Sequence, residues 1–223
     1  MPSFSLIAEG ITDQIVIENI LYGFCDDPDI DVTFLTPLRD ETDRNRTTSP
    51  GNWSQVLEYC SSERFRGVFQ SNSDYVVIQI DTDACHDFKV NNRNDEGEEL
   101  SVEAMIESVK LFLIERIGSV FYESYKTRIV FAVAVQSIEC WLLPLVYTDD
   151  KRSKTTGCLD TLNRKLVKQK KPFSIDAKNK NVGYYQAISD PYSKHKRLMA
   201  EYTFNPSLKR FVQELEGMVT LAQ

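Results

Sequence analysis

A short apolar run that ends in two carboxylates constrains the fold of this chain more than any other stretch. Residues 75–80 are mostly β-branched and apolar, which is typical of a strand buried on both faces of a parallel sheet. Asp81 and Asp83 follow two positions apart, so an extended chain points both side chains the same way. Carboxylates this close repel each other unless a cation lies between them. The stretch predicts a site for a hard divalent ion such as Mg2+ or, alternatively, an acidic turn that only caps a strand.

Alternating strand and helix patterns surround this run. Apolar and β-branched runs predict four strands, at residues 3–8, 30–35, 75–83 and 128–135. A helical pattern follows each strand; the second covers residues 53–65 and the longest covers residues 102–122. This order predicts an α/β fold in which a mainly parallel, four-stranded sheet is flanked by helices. Residues 36–52 and 84–100 are polar and are predicted to form long surface loops.

The strand pattern stops after Pro144, and the remaining residues predict only helices and loops. We therefore predict a core over residues 1–146 and a basic, helical C-terminal region over residues 147–223 that packs on it. At 223 residues the chain is long enough for one large domain, or for a core with such an appendage.

The composition excludes several classes of protein. Hydrophobic residues make up 42% of the chain, which is ordinary for a globular protein. No run of about 18 apolar residues exists, and the N-terminal residues lack a signal-peptide pattern, so we expect no membrane segment and no secretion. The five cysteines are odd in number, irregularly spaced and without a Cys-x-x-Cys pair. This pattern predicts neither a disulfide framework nor a zinc site, and it favours a reduced, cytoplasmic location.

The charges are distributed unevenly along the chain. The formal net charge is -7, but residues 151–197 hold 13 of the 26 basic side chains and only 3 of the 33 acidic ones. This distribution is expected for an acidic metal site beside a surface that binds a polyanion, and equally for a solvated charged face. We predict that six of these residues bind the phosphate backbone of DNA or RNA: Lys165, Lys168, Lys171, Lys194, Lys196 and Arg197. An acidic partner protein is the alternative ligand for this surface.

Three further acids follow predicted strands. Glu9 ends the first strand, Asp13 lies one helical turn later, and Glu139 lies just past the fourth strand. Because the carboxyl ends of parallel strands meet at one edge of a sheet, we expect these acids to join Asp81 and Asp83 there. Five carboxylates could hold one or two Mg2+ ions, or Mn2+ in their place, about 4 Å apart. An alternative for Glu139 is an acid that only interacts with the dipole of its helix.

Two of these motifs resemble the Toprim domain. They are Glu9-Gly10-Ile11-Thr12-Asp13 after the first strand and Asp81-Thr82-Asp83 after the third. The Glu-Gly-x-x-Asp form is similar to that of the OLD-family nucleases. The segment 137–143, with Tyr192-x-Lys194 and a closing helix that contains Phe211, is similar to small stand-alone Toprim-like proteins of bacterial mobile and defence loci. The resemblance covers about residues 3–145.

The resemblance implies roles for these residues. Glu9 would be an acid/base or metal ligand, and Asp81 and Asp83 metal ligands. Asp13 and Glu139 would complete a second metal site. OLD-type enzymes also use a downstream lysine to stabilise charge, and Lys194 or Lys196 would take that role, so the predicted catalytic set is Glu9, Asp81 and Lys194. The sequence departs from the family because its loop at 36–52 is long and it has no P-loop, so any ATPase would be a separate subunit of a defence system.

Three functions remain open at this level. The first is a Mg2+-dependent nuclease of the Toprim/OLD type in a bacterial anti-phage system, acting on DNA or RNA. The second is a phosphotransfer site of the receiver or haloacid-dehalogenase kind, which the Glu9-Gly10 start fits poorly. The third is a non-catalytic Toprim-like subunit that binds nucleic acid or a partner. Tyr184 and Tyr185, within the basic region, are candidates for stacking on bases.

Overall fold

The architecture is an α/β sandwich built on one sheet. A computed structural model of the protein describes residues 2–39, 52–71, 73–169 and 174–219. The sheet has the order β2-β1-β3-β4, and every neighbouring pair is parallel. Its strands are β1 (Phe4–Ile7), β2 (Val32–Thr36), β3 (Tyr75–Asp81) and β4 (Ile129–Ala134). The predicted four-stranded, mainly parallel sheet flanked by helices is therefore confirmed.

Ten α-helices lie within the described residues. They are α1 (Ile11–Cys25), α2 (Trp53–Cys60), α3 (Glu63–Val68), α4 (Val102–Ile117), α5 (Ser119–Tyr125), α6 (Glu139–Val146), α7 (Cys158–Lys168), α8 (Val182–Ser189), α9 (His195–Glu201) and α10 (Pro206–Val219). Short 3-10 turns precede β4, α7 and α9 and connect α9 to α10. The helices after α6 confirm the predicted C-terminal helices.

Two predicted helices are each divided in two. The pattern at 53–65 forms α2 and α3 because the Ser62 hydroxyl accepts a hydrogen bond from the Phe65 amide, 3.3 Å away, and starts a new helix. The pattern at 102–122 forms α4 and α5 because Gly118 has φ 94°, a conformation that ends a helix. Of the predicted loop at 36–52, residues 40–51 lie outside the described residues.

The sheet is covered on both faces because side chains alternate along each strand. All seven residues of β3 are buried. Val77 packs into one apolar cluster with α1 and α6–α10, whereas Val76 and Ile78 pack into a second cluster with α2–α4. The burial of every β3 side chain explains why its sequence is a continuous apolar run.

The C-terminal helices share the core of the sheet. Leu162 of α7, Tyr185 of α8 and Phe211 of α10 belong to the same buried cluster as Leu6 and Val77. This packing brings residues beyond 146 against the first half of the chain. The boundary at 146/147 as a limit between domains stays a prediction.

Gly23 marks a close approach between α1 and the C-terminal region. A Cβ at this position would lie 1.9 Å from the carbonyl oxygen of Tyr192, a backbone atom that cannot rotate away. We expect Gly23→Ala to lower the free energy of unfolding by about 1–3 kcal/mol, although alanine is the better helix former. Urea unfolding followed by circular dichroism measures the change.

Gly217→Ala in α10 is the matched control. A Cβ at Gly217 meets nothing within 4 Å, so this substitution is expected to raise the free energy of unfolding by up to about 1 kcal/mol. Two shifts of the same sign and size would contradict the close approach of α1 and Tyr192.

Candidate functional site

Glu9 and Asp81 meet at the carboxyl ends of β1 and β3. Glu9 Oε1 accepts a hydrogen bond from the Asp81 amide at 2.7 Å. Gln79, fully buried in β3, connects the same two residues: its Oε1 accepts from the Glu9 amide at 3.0 Å, and its Nε2 donates to Asp81 Oδ1 at 2.8 Å. These three bonds close a ring that fixes both carboxylates. Gln79 was not among the predicted site residues, although a polar residue inside an apolar strand is a sequence signal for such a role.

Asp13 lies in the first turn of α1, beside Glu9. It is 4% exposed, and its Oδ1 is buried without a hydrogen-bond partner within the described residues. Gly10 gives it room, because a Cβ there would lie 2.9 Å from Asp13 Oδ2. Burial raises the pKa of Asp13 to about 6. Burial, followed by the charge of Asp13, raises the pKa of Glu9 to about 8.

Asp81 and Asp83 differ in exposure. Asp81 is 5% exposed, and burial together with the charges of Asp13 and Glu9 raises its pKa well above the usual value. Asp83 lies on the turn after β3 and is more exposed than Asp81. The protein still covers part of its carboxyl group, and this partial burial raises its pKa as well. The Gln136 carbonyl accepts from the Asp83 amide at 3.0 Å, so the segment that follows β4 holds this turn in place.

Glu139 begins α6 and is 1% exposed. Its Oε1 lies 2.8 Å from Lys180 Nζ and also accepts a hydrogen bond from the Tyr185 hydroxyl. Burial disfavours the charge on Glu139, but the Lys180 charge and these hydrogen bonds outweigh it, so its pKa falls below the usual value. Ser207 supports the start of α6, because its hydroxyl accepts from Trp141 Nε1 at 2.8 Å.

Lys180 is the lysine of this site. Burial opposes its charge, but the carboxylates of Glu139, Asp13 and Asp81 outweigh that effect and raise its pKa. Its charge in turn opposes the rise in the pKa values of Glu9 and Asp83. The structure therefore brings together all five predicted acids, and it adds a cation from the loop between α7 and α8.

No family model, curated protein or solved structure matches this chain. The family resemblance is thus carried by its motifs alone.

The acids of the site supply the oxygen atoms that a hard divalent ion prefers, but their carboxylates are not arranged around one point. In residues 2–39, 52–71, 73–169 and 174–219, no group of three His, Cys, Asp or Glu side chains is placed to hold one metal ion. The reason is visible in the hydrogen bonds, since Glu9 is directed at the Asp81 amide and Glu139 at Lys180 and Tyr185. The donor set is nevertheless all oxygen, and Asp13 Oδ1 is buried without a partner in the described chain.

Lys194, the predicted catalytic lysine, lies elsewhere. It is exposed and directly precedes α9, whose first residue, His195, places Nδ1 2.9 Å from the Gly23 carbonyl oxygen. Gly23 lies ten residues beyond Asp13 in α1, about 15 Å along the helix. The structure thus does not bring Lys194 to the acids. Lys180 was missed because its polar loop carries no motif and lies far from every strand end in sequence.

Four of the six predicted nucleic-acid-binding residues lie in two separate helices. Lys196 and Arg197 are exposed in α9. In α7, Lys165 places Nζ 4.9 Å from the centre of the Tyr147 ring, and Lys168 is exposed. Lys171 lies outside the described residues.

A surface groove follows α7. It has a volume of about 520 Å3 and is lined by Asp160, Asn163, Arg164, Val167 and Lys168.

Two expectations from the sequence are wrong. Tyr185 does not stack on bases, because it is fully buried and donates to Glu139. Cys140 and Cys158 form a disulfide, which the cysteine spacing did not predict. The packing of α6 on α7 brings their Cα atoms to 5.0 Å, and this proximity has no signature in sequence spacing.

The cytoplasmic location stays a prediction. Across the described ranges, no helix is both long and apolar enough to cross a bilayer.

The raised pKa values of Glu9 and Asp13 predict that stability falls as pH rises in metal-free buffer. Each carboxyl holds its proton more tightly in the folded state. Its contribution to the free energy of unfolding is therefore complete at pH values below its usual pKa and is lost as the pH rises. The contribution of Asp13 is lost between about pH 3.8 and about pH 6, and that of Glu9 between about pH 4.5 and about pH 8. We expect the free energy of unfolding to fall by at least about 1 kcal/mol between pH 5 and 8.5.

Urea titrations at fixed pH values measure this slope. The Glu9→Gln variant is the control, because it lacks the group that titrates near pH 8 and should lose less stability above pH 6. A free energy of unfolding that stays constant or rises over this range would show that the acids are ionised without penalty.

Proposed function

We propose that this protein is a Mg2+-dependent nuclease of the Toprim/OLD type that hydrolyses phosphodiester bonds in DNA or RNA. The observation that carries the proposal is the convergence of five acids and one lysine at the carboxyl edge of a parallel sheet. Four of these acids have raised pKa values, which is typical of groups arranged for chemistry and not for stability.

Each acid has a place in the proposed reaction. Glu9, Asp81 and Asp83 would hold one ion, and Asp13 and Glu139 would complete a second site. Bound Mg2+ or Mn2+ would lower the pKa of a water molecule and neutralise charge on the phosphate. Glu9 would be a metal ligand or the acid/base of the reaction, the two roles that the resemblance gives it. Lys180 supplies a positive charge for the phosphate oxygens, the role that the resemblance assigns to a lysine.

The basic residues support a polyanionic substrate. The site itself is acidic and would repel a phosphate backbone, so binding needs cations nearby. Asn163, in the α7 groove, is joined to the loop that carries Lys180: its Nδ2 donates to the Ile175 carbonyl oxygen at 2.8 Å, and its Oδ1 accepts from the Ile175 amide at 2.7 Å. This contact supports a path from Arg164 and Lys168 to the acids.

A non-catalytic subunit that binds nucleic acid or a partner protein is the second candidate. The observation in its favour is that Glu139 is already paired with Lys180 and Tyr185, while no three acids among the described residues are placed around one ion. In that case a separate ATPase or another subunit of a defence system would supply the activity.

Cleavage assays with the purified chain separate these two functions. Single- and double-stranded DNA and RNA are incubated with Mg2+, with Mn2+ and with EDTA. The nuclease proposal expects cleavage of at least one substrate that EDTA abolishes. Binding without cleavage of any of them, under both metals, decides for the non-catalytic subunit.

A further inference from the structure

Lys180 is the cation of the acidic site. Its ammonium group lies 2.8 Å from Glu139 Oε1, and its charge acts on Glu9, Asp13 and Asp81 as well. We propose that Lys180 and a divalent cation compete for the same carboxylates, so that metal binding releases Lys180 from Glu139. This exchange is a form of regulation of the site and rests on the proposed function, in which the acids bind metal.

The loop that carries Lys180 is anchored on both sides of this residue, which leaves the lysine side chain itself free to change direction. It is held at one end by the two hydrogen bonds between Asn163 and Ile175, and at the other by Asn181, whose side chain caps α8. The Lys180 side chain between these anchors is 31% exposed, whereas that of Glu139 is 2% exposed. The lysine can therefore turn toward solvent without moving either anchor, and Glu139 cannot.

Glu139 stays in place when Lys180 leaves. The Tyr185 hydroxyl donates to the same Oε1 atom, and Tyr185 is fully buried in α8. Ser189, one turn further along α8, accepts a hydrogen bond from Asn19 Nδ2 of α1 at 2.7 Å and so holds the helix on the core. The carboxylate thus keeps its direction while its ionic partner changes.

The electrostatics favour the exchange. One ammonium group faces several buried carboxylates that repel each other, and a divalent ion neutralises them better than a single positive charge. Asp13 Oδ1 is buried and accepts no hydrogen bond within the described residues, so it is an oxygen that an incoming ion can use without breaking an existing bond. Once displaced, the Lys180 side chain, which is already 31% exposed, would face solvent beside the site.

Direct metal binding to the full chain tests the competition. Mn2+ binding is measured by electron paramagnetic resonance without nucleic acid, for the unaltered chain, for Lys180→Met and for Lys178→Met. Methionine keeps the unbranched apolar stem of lysine but not its ammonium group or its charge. We expect Lys180→Met to bind Mn2+ at least about tenfold more tightly, because a like charge no longer opposes the ion. Lys178, exposed in the same loop, is the control and should leave the affinity unchanged. Equal or weaker binding by Lys180→Met, or no binding to any of the three chains, overturns the exchange.

Amine labelling of the unaltered chain tests the release itself and does not depend on how any variant folds. An acylating reagent is applied with and without Mn2+, and the modification of each lysine is followed by mass spectrometry. We expect Mn2+ to increase the labelling rate of Lys180 at least about fivefold, because the ion pair with Glu139 is broken and the amine becomes exposed. The rate of Lys178 should not change. A Lys180 rate that Mn2+ leaves unchanged or lowers refutes the release.

These measurements separate the inference from the proposed function because neither uses a nucleic acid. A chain that shows tighter binding by Lys180→Met and faster labelling but cleaves no substrate retains the exchange and loses the nuclease. A chain that cleaves but shows neither effect retains the nuclease and loses the exchange.

Discussion

Asp81→Asn is expected to reduce Mg2+-dependent cleavage by about 1,000-fold or more while it makes the fold more stable. The loss follows because a neutral amide neither binds nor orients a divalent ion as a carboxylate does, and such an ion contributes several kcal/mol to transition-state stabilisation. The gain follows because burial and the charges of Asp13 and Glu9 raise the pKa of Asp81, so its ionisation opposes folding above its usual value near 3.8. The amide oxygen can still accept the hydrogen bond from Gln79.

Cleavage rates and urea unfolding at pH 7.5 measure the two effects on the same preparations. The free energy of unfolding of Asp81→Asn should exceed that of the unaltered chain, because the amide carries no charge for burial to penalise. Asp87→Asn is the control, because Asp87 is exposed a few residues further along and makes the same change in charge. It should alter neither quantity. An Asp81→Asn chain that is less stable than the unaltered one would place Asp81 among structural ion pairs, and retained cleavage would remove it from the site.

The opposite effects on activity and stability identify a site because they are not expected of a structural ion pair. Glu139 illustrates the contrast: its pKa is lowered, mainly through Lys180 against the effect of burial, so its charge supports folding. Glu9, Asp13 and Asp81 have raised pKa values, so their charges oppose folding. A fold retains such acids at a cost in stability, and function is the usual reason.

The positions of Glu9 and Asp81 could be predicted because topology determines them. Each follows a strand, and parallel strands bring their carboxyl ends to one edge whatever the loops do. The hydrogen-bonded ring with Gln79 illustrates this rule, because the Glu9 carboxylate accepts a hydrogen bond from the Asp81 amide. Strand ends are local features of sequence, and the alternation of strands and helices predicts that the strands are parallel.

The position of Lys180 could not be predicted in this way. It depends on how α8 packs on α1, through contacts such as that of Asn19 with Ser189, 170 residues apart in sequence. Our prediction of Lys194 relied on the resemblance, which did not fix a particular downstream lysine, and chose a residue near the far end of α1. The disulfide of Cys140 and Cys158 was missed for the same reason, because it reflects the packing of two helices and not a spacing.

The triple variant Lys165→Gln, Lys168→Gln and Lys171→Gln is expected to weaken nucleic-acid binding by about 100-fold at 0.1 M salt. Each phosphate contact contributes about 0.7–0.9 to the slope of log affinity against log salt, so losing three contacts should make the slope shallower by about 2–2.7. Lys168 is exposed on the groove along α7, and Lys165 extends over the Tyr147 ring. Filter binding or fluorescence anisotropy over a range of salt concentrations measures affinity and slope together.

A matched triple variant gives the comparison that decides whether position or total charge matters. Lys89, Lys126 and Lys209 are exposed and lie outside the basic region, and their replacement by glutamine changes the net charge equally. If binding depends on the α7 surface, this control keeps nearly all of the affinity and of the salt slope. Equal losses in both variants would indicate attraction by total charge alone. A triple variant at 165, 168 and 171 that keeps its affinity and slope but loses a co-purifying protein would assign this surface to an acidic partner. The phosphate backbone would then have to be bound by other cations, of which Lys196 and Arg197 are the exposed candidates in α9.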